Sequence, residues 1–186
     1  MDRKIFFSEL RLTGMLLIFS RVIFLVAAIL FTIRFLWELP MGRMPSFFLW
    51  ERSFVIAALL AVLLSFTLLK RVLEAAGDGI LASMALVLFL VAVILVVVAE
   101  TISFPSDDIV YPPLVAYVIL SFLGQALFGM ALLRTGLVPA RVGWVTVIWN
   151  LAMLVFLTAT KPQDMYYPWL HYIAPLLIGM ALLRKR

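Results

Sequence analysis

Residues Ile80–Ala99 read ILASMALVLFLVAVILVVVA, twenty positions with no charge and with Ser83 as the one polar side chain. A helix rises about 1.5 Å per residue, so this run is about 30 Å long, the thickness of bilayer hydrocarbon. Other stretches along the chain resemble it, six in all counting this one. The sequence therefore predicts an all-α polytopic membrane bundle of six transmembrane helices, with residues 1–186 as a single membrane domain.

Composition agrees. The chain is 66% hydrophobic and 13% charged, whereas soluble domains are about half apolar and about a quarter charged. The net charge of +5 does not point to nucleic acid. Its basic residues sit at helix ends, where lipid phosphate and membrane topology account for them. The absence of cysteine excludes disulfides, thiolate metal sites and cysteine nucleophiles. The apolar run after Lys4 continues to about Leu36, longer than a signal peptide's core of about 7–15 residues, and Arg21 interrupts it. It reads as a retained first helix.

In chain order, Met1–Thr13 reads as a basic amphipathic lead, with Ser8 capping a helix whose first turn holds Glu9. Helices are predicted at about 14–36, 54–69, 80–99, 114–133, 142–160 and 168–183. Pro40, Gly42 and Pro45 mark Trp37–Ser53 as a link, with an aromatic interfacial piece at 46–50. Glu74, Gly77, Asp78 and Gly79 form a tight turn. Pro105, Pro112 and Pro113 stiffen the polar loop SFPSDDIVYPP, and Gly136 with Pro139 breaks the next connection.

Orientation follows from lysine and arginine. One side holds ten: Arg3, Lys4, Arg11, Lys70, Arg71, Arg134, Arg141, Arg184, Lys185 and Arg186. The other holds four: Arg34, Arg43, Arg52 and Lys161. Both ends are expected in the cytoplasm, the protein being multi-pass in a cell inner (plasma) membrane. Trp37, Trp50, Tyr111, Tyr166, Tyr167 and Trp169 make an aromatic belt opposite.

Gly129-Met-Ala-Leu-Leu-Arg134 recurs letter for letter as Gly179-Met-Ala-Leu-Leu-Arg184, and Leu68-Leu-Lys-Arg71 is a looser version. Either apolar composition plus the positive-inside rule produces this echo, or the chain is three tandem helical hairpins. Arg11-Leu-Thr-Gly14, Gly136-Leu-Val-Pro139 ahead of Gly143-Trp144, and Pro175-Leu-Leu-Ile-Gly179 carry a resemblance. On these the sequence resembles a group of bacterial six-helix integral membrane proteins known only as a domain of unknown function. The resemblance implies a six-helix bundle in a bacterial membrane and brings no catalytic residue with it.

Two polar groupings stand out. Counted inward at about 1.5 Å per residue, Arg21 lies about 10 Å deep, and Ser65, Gln125 and Asn150 lie at about 7–14 Å. Four polar side chains from four helices are thus expected at one level, with no acidic residue among them. One reading has Arg21 snorkelling to lipid phosphate while the amides bond between helices. The other has Arg21 anchoring an anionic group, a lipid head or a carboxylate, beside Gln125 and Asn150. A proton or ion path would require an intramembrane acid. The second grouping is an outer rim of Arg34, Glu38, Glu100 and His171. A single histidine is too little for a zinc site, so the rim reads first as ion pairs and hydrogen bonds. No metal or cofactor is expected. Ala85, Ala92 and Ala99 form a small-residue seam, suited to packing within the chain or to a homodimer.

No Walker loop, nucleophile elbow or HExxH pair occurs. The sequence reads first as a non-catalytic membrane protein that binds a lipid or a lipophilic, anionic-headed ligand, or serves as an accessory subunit. A small transporter is the competing reading, and an intramembrane enzyme the third.

Overall fold

The computed structural model describes residues 3–33, 36, 48–102, 107–160 and 173–184. Among them are six helices: α1 (Arg3–Ile33), α2 (Phe48–Ala75), α3 (Gly79–Ile102), α4 (Asp107–Thr135), α5 (Ala140–Thr160) and α6 (Ile173–Arg184). There is no strand among the described residues. Five helices are long and apolar enough to cross a membrane, and α6 is a shorter apolar helix of 12 described residues. The protein is a multi-pass helical membrane protein.

Several helix ends differ from those expected. Arg3–Thr13 is not a separate lead but the start of α1, so Ser8 lies inside the helix rather than capping it. Glu9, mid-helix, reaches Arg71 of α2 at 3.1 Å. α2 begins at Phe48, which brings Glu51 into its first turn instead of a link. α4 begins at Asp107 and runs through Pro112 and Pro113. Two prolines cost hydrogen bonds to the preceding turn, a loss tolerated near a helix end where other donors reach the freed carbonyls. Gly77 (φ 104°) and Gly136 (φ 61°) take the left-handed conformation that ends α2 and α4. Gly136 N donates to Leu132 O at 3.1 Å, and Asp78 N to Leu73 O at 3.0 Å.

Each helix packs on its neighbours in sequence, and α6 closes back on α1, so the six form a ring. The outside is apolar: Leu25, Leu64, Val87, Ile94, Ile148 and Val155 are all more than half exposed, a surface suited to lipid. Hydroxyls on this outside bond within their own helix. Thr67 Oγ1 donates to Leu63 O (2.8 Å) and Ser53 Oγ to Leu49 O (2.7 Å), which satisfies both hydroxyls without water. The alanine seam packs inside the ring, where Gly124 of α4 lies against Ala85 O of α3. Ala85 and Ala92 are wholly buried.

The hexapeptide echo has a structural counterpart. A Cβ placed on Gly14 (α1) would stand 3.0 Å from Gly179 O and 3.0 Å from Leu183 Cγ (α6). A Cβ on Gly143 (α5) would stand 3.4 Å from Gly129 O and 2.6 Å from Leu133 Cγ (α4). In return, Gly179 faces Leu17 and Ile18, while Gly129 faces Thr146 and Val147. The partners occupy matching places in each repeat, third and fourth after the odd helix's glycine. The α6–α1 and α4–α5 seams are therefore the same clasp used twice.

Candidate functional site in the bundle centre

Arg21 decides the character of the interior. On α1 the buried positions include Gly14, Leu17, Phe24 and Ala28, and Arg21 falls on that stripe between Leu17 and Phe24. Its Nε, Nη1 and Nη2 are buried although the residue as a whole is half-buried. The guanidinium is turned into the ring and the stem is left nearer its surface. This is the reverse of snorkelling, so the lipid-phosphate reading of Arg21 does not hold.

The guanidinium lines a cavity with Leu59 and Val62 of α2, Phe89 of α3, Tyr117 and Gln125 of α4, and Pro175 of α6. Five of the six helices meet there. The cavity measures about 10 Å³ to the centre of a water molecule, room for one water. Gln125 is 2% exposed, and its Oε1 accepts no hydrogen bond. One turn beyond Val62 and Gln125, Phe66 and Phe128 stack with ring centroids 4.5 Å apart. Phe66 also meets Phe89 edge-on at 4.7 Å. These rings fill the interior between the cavity and the end of the bundle that carries Arg3 and Arg184.

The polar level expected from sequence is only partly assembled. Arg21 and Gln125 share the cavity. Asn150 follows Thr146 by one turn and Gln125 precedes Gly129 by one turn. Since Gly129 touches Thr146, the two amides lie at one level on the adjacent, antiparallel α4 and α5. Asn150 is wholly buried; its Nδ2 donates to Thr146 O at 2.7 Å and its Oδ1 accepts nothing. Ser65 lies one turn past Val62, outside the cavity lining, and spends its hydroxyl on Ala61 O at 2.6 Å.

The lining follows the repeat. Arg21 stands seven residues after Gly14, Asn150 seven after Gly143, and Phe89 seven after the buried Ala82. Gln125 and Pro175 stand nine before Arg134 and Arg184, as Val62 stands nine before Arg71. Five of these six positions line the cavity, and Asn150 is the sixth. The three hairpins thus present the same two positions to one central layer, made polar by Arg21, Gln125 and Asn150.

Sequence reasoning missed Glu51, which is wholly buried. It shares the inward stripe of α2 with Val55, Leu59 and Val62, and lies two turns from the cavity. The spacing was visible in the sequence, but reading 37–53 as a link hid it. At the other end of the ring, Asp78 is 5% exposed; its Oδ1 accepts from Leu81 N at 3.2 Å and its Oδ2 lies 3.3 Å from Arg134 Nε. Of the outer rim, Arg34, Glu38 and His171 lie outside the described residues, as does the side chain of Glu100. Among the described residues no three His, Asp or Glu side chains gather where they could hold a metal. Comparison with protein families, with curated proteins and with solved structures finds no match.

Proposed function

We propose that this chain is a non-catalytic integral membrane protein that holds an anionic group at the centre of its helix ring, against Arg21 and Gln125. The observation that carries the reading is the inward direction of the Arg21 guanidinium into a cavity shared by five helices. A charge held in low dielectric inside a membrane protein marks a functional site by default, because keeping it there is costly. The anion is a small ion or the head of a membrane lipid, and a head larger than water enters only if the helices part. The membrane we propose is a bacterial inner membrane with both ends in the cytoplasm, supported by the excess of lysine and arginine on that side. An accessory subunit, beside another membrane protein or a second copy, fits the same reading.

The test is purification in mild detergent followed by thermal unfolding with and without anionic lipid or salt. Stabilisation of the wild type that disappears in Arg21→Gln supports binding, and equal responses from the two proteins refute it. One observation favours a small transporter instead: the clasp repeated at the α6–α1 and α4–α5 seams. Parallel repeats around an axis along the membrane normal, with a polar site between them, are an arrangement used by transporters. Flux of an anion into proteoliposomes, abolished in Arg21→Gln, decides for that reading.

A further inference from the structure

Resting on the anion reading above, we infer that the central layer is a site for one monovalent inorganic anion of halide size. Three observations lead there. The cavity holds a single water-sized body, about 10 Å³ to its centre, too little for a phosphate or carboxylate head as the ring stands. Its lining sets the Arg21 guanidinium, Tyr117 and Gln125 among the apolar side chains of Leu59, Val62, Phe89 and Pro175, with no carboxylate among the lining residues. Gln125 is 2% exposed, lines the same space and accepts no hydrogen bond at Oε1. A half-turn of that carboxamide therefore breaks no bond at Oε1 and presents the Nε2 donors beside the guanidinium. A round anion with no directional demands of its own accepts from both.

The repeat explains why this point was available. Arg21 and Gln125 occupy two of the six positions that the three hairpins direct to the central layer, where the others present Val62, Phe89, Pro175 and, outside the cavity lining, Asn150. Polar side chains at three of the six positions of a repeated frame thus give this layer its affinity for an anion, two of them at the cavity itself. Phe66 and Phe128 close the space on one side, which keeps the ion from bulk water there.

The experiment is thermal unfolding of the detergent-purified protein in sodium gluconate, titrated at constant ionic strength with sodium chloride, bromide, iodide or sulfate. The inference expects the midpoint to rise saturably with chloride, less with the larger iodide, and not with sulfate. Gln125→Leu, which keeps Arg21, should weaken the chloride response at least tenfold in the midpoint concentration, and Arg21→Gln should abolish it. Should Arg21→Gln fail to fold, the ion series and Gln125→Leu still decide. Equal responses to chloride and sulfate, or no chloride response in the wild type, overturn the inference. Repeating the wild type with phosphatidylglycerol vesicles separates the two levels of the argument. Stabilisation by lipid but not by halide overturns the halide site and leaves the anion reading standing, whereas stabilisation by neither overturns both.

Discussion

Gly14 and Gly179 lie face to face, each with its Cα directed at the other's carbonyl oxygen, so that a Cβ on either would stand 3.0 Å from that oxygen. This contact closes the ring, because it joins the first helix to the last. In lipid, helices associate through close packing rather than through exclusion of water, so small residues set how near two backbones come. Gly14→Ala and Gly179→Ala must push a backbone carbonyl, which has no side-chain freedom to yield. Overpacking of this kind costs about 1–3 kcal/mol, against a gain of about 1 kcal/mol in helix propensity. A net loss of stability is expected. At Gly143 the obstacle is instead the Leu133 side chain, 2.6 Å away at Cγ. Gly143→Ala should therefore be rescued by adding Leu133→Ala, whereas Leu183→Ala should rescue Gly14→Ala only in part. Unfolding midpoints in detergent for the single and double variants check the ordering.

Asp78 joins three helices at the terminal end of the bundle. Its Oδ1 caps α3 through Leu81 N, and its Oδ2 meets the Arg134 Nε of α4 directly after α2 has ended. Asp78→Ala removes a cap worth about 1 kcal/mol together with the ion contact. Asp78→Asn keeps an acceptor for Leu81 N and loses only the charge, so it should cost less. The Arg134 side chain is 67% exposed, and the pair itself is therefore worth less than about 1 kcal/mol. Unfolding of the two variants should rank Asp78→Ala below Asp78→Asn.

The chain has no cysteine, so single introduced thiols report sidedness without background. Arg11 and Arg184 are exposed on the end of the bundle where α1 begins and α6 ends. Arg11→Cys and Arg184→Cys should react with a membrane-impermeant maleimide only after the cells are opened. Labelling of either in intact cells would reverse the proposed orientation.

Much of this arrangement was legible in the residues. The apolar runs give the number of helices, and the exact echo of Gly129–Arg134 in Gly179–Arg184 announces the repeated clasp. Helix ends were less legible, since Pro112 and Pro113 read as stiffening a loop but are carried inside α4, and Arg3–Thr13 continues straight into α1. In lipid the penalty for leaving a helix, an unpaired backbone group in hydrocarbon, outweighs local breaking signals. Depth placed Arg21 and Gln125 at one level, but depth says nothing about direction. The direction lay in the period: Leu17, Arg21 and Phe24 share a face, and that face is buried. Ser65 falls one turn past Val62 and outside the lining, because a range of about 7–14 Å in depth spans more than one helical turn.

The Arg21 side chain points across the ring toward α4, and cross-linking of paired cysteines distinguishes that direction from an outward one. α1 and α4 are not sequence neighbours in the ring, so Arg21 and Gln125 meet only through its centre. In native membranes, Arg21→Cys combined with Gln125→Cys should be joined by a short bis-maleimide. Arg21→Cys combined with Ile119→Cys, on the exposed side of α4, should not. Joining of the first pair alone is the outcome expected here; a first pair that stays unjoined, or a second that joins equally well, would contradict the inward Arg21.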